Sequence, residues 1–267
     1  MIMTKLSESV AKKVVHRATK KSIKRTTPTS RHFQTNSGEE DIIENSNKSS
    51  SDIEENPWYN RFTKDDALYN TYMANEWSFE VRKDDRKLFE KLCLEGAQSG
   101  LSWKTILYKR EAYREIFHGF DVIRVSQMTS SDIDEIMQMD GGGDKTKTVV
   151  KHRGKLESVV HNAKQLLTIA ERDETFTTFS DYLWSFVDDK PILNHWKKFE
   201  DMPSKTDESE KMSKGLKSHG FKFVGPTTCY SLMQSCGLVI DHPLDSSEWK
   251  AALKRLKDRD GGYQARE

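Results

Sequence analysis

Glu95 is the residue whose type and position most invite chemistry. The apolar stripe of Leu88, Phe89 and Leu92 continues, at a spacing of seven from Leu88, onto Glu95, so a carboxylate lands where a core side chain belongs. Such a group must be paired, protonated or awaiting a cationic ligand. Trp103 follows just past the helix-breaking Gly100, and a carboxylate beside an indole is a good receptor for a flat, positively charged ring. Upstream, Tyr72, Asn75, Glu76 and Trp77 form a polar-aromatic knot, richer in hydrogen-bonding groups than a routine helix, although most such knots are core. Lys151-His-Arg-Gly-Lys155 precedes an expected helix, where backbone amides and basic side chains would hold a phosphate; the alternative is an exposed basic turn. Cys93, Cys229 and Cys236 sit inside apolar helical patterns and read as core rather than nucleophiles. No Ser-His-Asp order, P-loop or GxGxxG motif is present.

The elements that position these residues are helical from Trp58 onward. Apolar residues recur at spacings of three and four over residues 84–94, 103–117, 131–139, 155–170, 179–187, 209–219 and 227–236. Gly100, Gly119, Gly141-Gly-Gly143, Gly154, Pro191, Pro203, Gly220 and Gly225-Pro226 separate them, and strand-like alternation is nearly absent. Short helices joined by tight turns predict an all-α domain, one large unit or two small lobes, over residues 57–250. Residues 251–267 read as a charged C-terminal tail.

Charge divides the rest of the chain. Residues 1–31 carry a net +8 and residues 32–56 a net −6 among Ser and Asn, leaving −1 for the remainder. Residues 1–56 therefore read as a disordered head, basic then acidic, that buries too little apolar surface to fold. Lys20-Lys-Ser-Ile-Lys-Arg25 suits a nuclear localisation signal, while the acid-poor, Ser/Thr-bearing composition also suits a mitochondrial transit peptide or a plain solvated tail. No apolar run approaches the roughly 18 residues of a membrane helix, and three Cys without paired spacing argue against a disulfide framework and a Cys-based zinc cluster. The expected protein is soluble, in a reducing compartment and without a membrane partner.

From about Trp58 to His242 the chain resembles the type I DNA-3-methyladenine glycosylase family of the helix-hairpin-helix superfamily. The resemblance rests on ordered matches through nearly the whole folded region. They include Leu68-Tyr-Asn-Thr-Tyr72, Asn75-Glu-Trp77, Leu94-Glu-Gly96, Gly100-Leu-Ser-Trp103, Lys109-Arg-Glu111, His152-Arg-Gly-Lys155, Trp184-Ser-Phe186, Gly220-Phe-Lys-Phe-Val-Gly225, Cys229-Tyr230 and Gly237-Leu-Val239. It implies a compact multi-helix glycosylase fold with a helix-hairpin-helix element. It also implies a monofunctional enzyme that flips 3-methyladenine out of alkylated double-stranded DNA and hydrolyses its glycosidic bond, starting base excision repair. By position, Glu95 would accept hydrogen bonds from the flipped base and Tyr72 and Trp103 would sandwich it. Tyr69, Asn75, Glu76 and Trp77 would support the pocket, and Leu101 would plug the gap in the duplex. Lys151, His152, Arg153, Gly154 and Lys155, with Lys145 and Lys147, would meet the DNA backbone. No lysine aligns as a Schiff-base nucleophile, and a monomer is expected.

Two departures from the family pattern stand out. The family's zinc clasp uses two Cys and two His, and the matching positions here are Asn60, Met73, His242 and Ser246, so His242 alone survives and no zinc or other cofactor is expected. The hairpin, Asp140-Gly-Gly-Gly-Asp-Lys-Thr-Lys-Thr148, is longer and more polar than the family's turn, either adding phosphate contacts through Lys145 and Lys147 or forming a surface insertion. The competing reading is a catalytically degenerate DNA-binding module of the same fold. An all-α adaptor acting only through its charged head explains none of the pocket residues.

Overall fold

The computed structural model describes residues 57–172 and 176–260, so the expectations for the head, with its disorder and its address at residues 20–25, lie outside the described residues. The fold is all-α, as expected. Helix α1 spans Asn60–Thr63 and α2 Ala67–Asn75, followed by α3 (Asp85–Gln98), α4 (Trp103–Ile116), α5 (Val122–Ser126), α6 (Ser130–Gln138) and α7 (Arg153–Arg172). Next come α8 (Phe179–Trp184), α9 (Asp207–Ser218), α10 (Pro226–Ser235) and α11 (Ser247–Asp260). Two-residue strands β1 (Ile192–Leu193) and β2 (Val239–Ile240) pair in parallel.

Local chemistry sets the helix starts. Asp66 accepts the amide of Tyr69 at 3.0 Å and so opens α2; Asp84 accepts that of Lys87 at 2.9 Å and opens α3. Ser102 caps α4 through the Thr105 amide at 3.2 Å, and Pro226 occupies the first turn of α10, where a missing N–H costs nothing.

Helix α3 is the axis of the domain, and its two sides feed two cores. Leu88 and Leu92 pack with Leu183, Trp184, Met212, Leu216 and Met233 from α8, α9 and α10. Phe89, Cys93, Leu94 and Ala97 pack with Ile106, Tyr113, Ile133, Leu156 and Val159 from α4, α6 and α7. A helix flanked on both sides is buried all round, which explains why the chain from Lys91 to Ala97 is buried without interruption. All three cysteines are buried within these cores.

The C-terminal expectation is corrected in part. Residues 247–260 form α11, which buries Trp249, Ala252 and Leu256 against Leu193 and Ile240 of the short sheet. Only residues 261–267 of the expected tail lie outside the described residues. No helix among the described residues is long and apolar enough to cross a membrane.

Candidate active site

A cavity of about 430 Å³ opens where α2, α3, the start of α4 and α10 converge. Helix α3 contributes Glu95 and Gln98, α2 contributes Tyr69, Tyr72 and Met73, and α10 contributes Thr227, Tyr230, Ser231 and Gln234. Trp77 lies just past α2 and Trp103 is the first residue of α4. The outer wall is aromatic: Trp58 stacks on Phe199 with centroids 5.5 Å apart, and Phe62 meets Phe199 at 4.5 Å.

Glu95 is 4% exposed on this wall. Burial pushes its carboxyl up to about 7, against the opposing pull of the Lys91 charge and a hydrogen bond from Ser235. Lys91 is itself buried one turn earlier on α3, with its ammonium 5.7 Å from the centroid of the Tyr72 ring. It is absent from the cavity lining. Tyr72 is buried, which raises its phenol well above the ordinary tyrosine range, with the Glu95 charge adding to the effect. Tyr72 and Trp103 stand 5.2 Å apart at 41°. Two faces that hold a ring between them need roughly 7 Å, twice the carbon contact distance, so in this conformation the pair forms a tilted corner rather than an open slot. The indole nitrogen of Trp103 is buried without a hydrogen-bond partner among the described residues.

Of the four residues expected to support the pocket, the structure brings in two. Tyr69 and Trp77 line the cavity, whereas Asn75 and Glu76 do not. Asn75 is exposed and donates to the Thr71 carbonyl at 3.0 Å, closing the end of α2. Glu76 pairs with Arg110 of α4 at 2.7 Å. Both are engaged within the fold instead, Asn75 on its own helix and Glu76 with α4, while Trp77, the next residue, faces the cavity.

Leu101 is 37% exposed at the tip of the α3–α4 turn. The turn is tight: the Leu101 amide donates to the Gln98 carbonyl and the Gln98 amide group to the Leu101 carbonyl, both at 2.6 Å. Gly100, at φ 78°, makes the reversal without strain. An apolar side chain is thus presented on a rigid tip next to Gln98, a cavity residue.

The basic residues separate into two groups. Lys145, Lys147, Lys151 and His152 are exposed, on a 139–152 segment built from short 3-10 turns and fastened by Lys109, whose ammonium donates to the Thr148 carbonyl at 2.8 Å and to the Lys145 carbonyl. His152 accepts the Lys155 amide at 3.3 Å, capping α7, Gly154 lies in its first turn, and Arg153 pairs with Asp134 and Glu157. Lys155 departs from the expected backbone contact. It is 8% exposed, and its ammonium donates to the carbonyls of Ala97 at 2.9 Å and Ser99 at 2.6 Å, the open end of α3. Lys155→Met should therefore lower stability by about 1–3 kcal/mol, by stranding those carbonyls, and leave the salt dependence of DNA binding unchanged. Thermal denaturation and a salt titration of duplex affinity check both halves. A flattened slope with unchanged melting would return Lys155 to the DNA surface.

The residues at the matched clasp positions do not fit zinc. Met73 is a buried thioether, and Ser246 accepts the Trp249 amide at 3.1 Å to start α11. His242 is buried, and desolvation with the Arg255 charge pushes its imidazole down to about 3, so it is neutral. Its Nδ1 accepts the Trp58 indole N–H at 3.2 Å, while Trp77 meets it edge-on at 5.1 Å. The Trp58 and His242 segments are thus joined by an indole–imidazole bond at the positions where the resemblance would put a zinc clasp. No group of three or more metal-ligating side chains occurs among the described residues.

Sequence reasoning missed Lys91, Gln98, Trp58, Tyr230, Gln234 and Asp241. Lys91 was signalled by its spacing of four from Glu95. Gln98 was signalled likewise by its spacing of three from Glu95, and the others become neighbours only through the fold.

Residues 62–248 match the model of a family described as methyladenine glycosylase. The chain is 47% identical over 186 residues to the DNA-3-methyladenine glycosylase of Haemophilus influenzae, covering 70% of this chain and 92% of that protein. It is 44% identical over 177 residues to DNA-3-methyladenine glycosylase 1 of Escherichia coli, covering 66% and 89%. Among solved structures, a variant of 3-methyladenine DNA glycosylase I in complex with 3-methyladenine superposes with a TM-score of 0.63 at 36% identity, covering 69% of this chain and 93% of that one.

Proposed function

The chain belongs to the methyladenine glycosylase family, and on that footing we propose that it is a monofunctional DNA glycosylase that excises 3-methyladenine from alkylated duplex DNA. The observation that carries the reading is Glu95: a carboxylate buried on a cavity wall beside Tyr72 and Trp103. Alkylation at N3 leaves adenine positively charged, which already weakens the glycosidic bond. The protein must then supply a place for a flat cation, and a carboxylate with two aromatic faces supplies it. The tilted Tyr72–Trp103 corner opens to admit the ring between the two faces. Leu101 fills the gap in the duplex, and the exposed Lys145, Lys147 and Lys151 reach phosphates. Lys91 lies against Tyr72 rather than in the cavity, and no other lysine of the described residues lines it, which favours simple hydrolysis to an abasic site.

Incubation of the full chain with methylated duplex tests the reaction class: strands should stay intact until alkali cleaves them at abasic sites. Strand breaks without alkali would make the enzyme a lyase. Binding without abasic sites would make it a binding module.

The enzyme works without zinc, because the clasp residues offer one imidazole and it is occupied by Trp58; a monomer remains the expected state. Metal analysis of tag-free protein should find no stoichiometric zinc, and chelator should leave the melting temperature unchanged. Stoichiometric zinc whose removal unfolds the chain would overturn this. For the head, the basic motif at residues 20–25 favours a nuclear address.

A further inference from the structure

Gln234 lines the cavity from α10, and its amide is held in one sense. The holder is Asp241, a fully buried carboxylate that accepts four hydrogen bonds. They come from Tyr230 Oη at 2.5 Å, Gln234 Nε2 at 2.8 Å, Asn194 Nδ2 at 2.6 Å and Trp196 Nε1 at 2.7 Å. All four donors are neutral, and Asp241 makes no ion pair among the described residues. A carboxylate can only accept, so the Gln234 amide must turn its NH₂ towards Asp241. That turns the carbonyl Oε1 away from Asp241, together with the second amide N–H, on a residue of the cavity wall. The Tyr230 proton is likewise committed to Asp241, so Tyr230 has only oxygen lone pairs to offer the cavity. With Glu95, these groups bring three sources of acceptor oxygen to a wall that also carries the hydroxyls of Thr227 and Ser231.

We propose that Gln234 Oε1 is a second acceptor for the base and selects a purine carrying an exocyclic amino group over one carrying a carbonyl there, with Asp241 as the positioning residue that fixes its sense. The inference rests on the cavity being the base-binding site. Adenine presents an N6 amino donor where guanine presents the O6 acceptor. A site built to hydrogen-bond one group rejects the analogue that lacks it, because its own polar atom is then left facing a like one.

The test is single-turnover release of 3-methyladenine and 3-methylguanine from one methylated duplex preparation, by the full chain and by Gln234→Met, with melting temperatures measured alongside. Loss of the acceptor should slow 3-methyladenine release and spare or speed 3-methylguanine release, contracting the preference by about tenfold or more. Asp241→Asn, which can donate as well as accept, frees the amide to turn around and should contract the preference in the same direction even where it lowers the melting temperature. An unchanged ratio in Gln234→Met, whatever the absolute rates, overturns the proposal while leaving the base site standing. If the unaltered chain releases neither base although it binds the duplex, the base-site reading itself fails, and this inference with it.

Discussion

Replacing Glu95 with glutamine is expected to slow single-turnover release of 3-methyladenine by roughly ten- to a hundredfold, the range that corresponds to about 1–3 kcal/mol for a hydrogen bond to a charged group. The substitution keeps shape but replaces one acceptor oxygen by an NH₂ donor, so it removes the negative charge together with one acceptor. That charge is 4% exposed and faces a cavity walled by Tyr72 and Trp103, where a cationic ring would feel it with little screening by water. Lys91, one turn away, loses its nearby anion in the variant, so melting temperature must be followed together with rate. Combining Glu95→Gln with Lys91→Met removes that complication: stability should recover and excision should not. A folded Glu95→Gln chain that excises at the unaltered rate under saturating enzyme would take Glu95 out of the site.

Between pH 8 and pH 6 the release rate should fall about tenfold, because the carboxyl pushed up to about 7 loses its charge across that interval. Stability moves the other way for the same group. Its folded value lies above the ordinary 4.5, so the contribution to stability is fully present below pH 4.5 and is lost as pH rises through 7. The loss is on the order of 3 kcal/mol. His242 acts in the opposite sense, since an imidazole held at about 3 contributes stability above pH 6.5 that disappears as pH falls towards 3. The difference between the unaltered chain and Glu95→Gln isolates the carboxylate: the variant should gain relative stability as pH rises, and its rate profile should lack the acid limb. A profile that is flat from pH 6 to pH 8 in the unaltered chain, together with a slow Glu95→Gln, would put the carboxyl's titration below that interval; flat in both at equal rates, it would show that excision does not require the Glu95 anion.

The inner part of this site was legible because it breaks a pattern. A carboxylate at a core spacing on α3 and an aromatic residue after a glycine break are local signals, and Glu95 and Trp103 stand where those signals put them; Leu101 was pointed out by the resemblance alone, and the structure leaves it exposed at the same break. Asn75 and Glu76 sit in the same dense run as Tyr72 yet face elsewhere. Their orientation depends on where α2 ends and on Arg110, 34 positions away. Lys155 looked like part of an exposed basic turn because its neighbours are charged. Its spacing to Val159 and Ala163, however, places it on the buried face of α7, which is why its ammonium reaches the end of α3. Helix α11 was hidden by its charge, although Trp249, Ala252 and Leu256 carry the three-and-four spacing of an apolar face. Asp241 had no local signal, because Asn194 and Trp196 come to it from 47 and 45 positions away.

The central claim is that a buried anion receives a cationic base and lets it leave its sugar. It is tested most directly by the amount of free 3-methyladenine released from a methylated duplex at pH 8, in parallel reactions of the full chain and Glu95→Gln at enzyme excess. The expected result is stoichiometric release by the unaltered chain and release slowed at least about tenfold by the folded variant. Duplex bound by the unaltered chain with no base released, or equal release by both proteins, would contradict it.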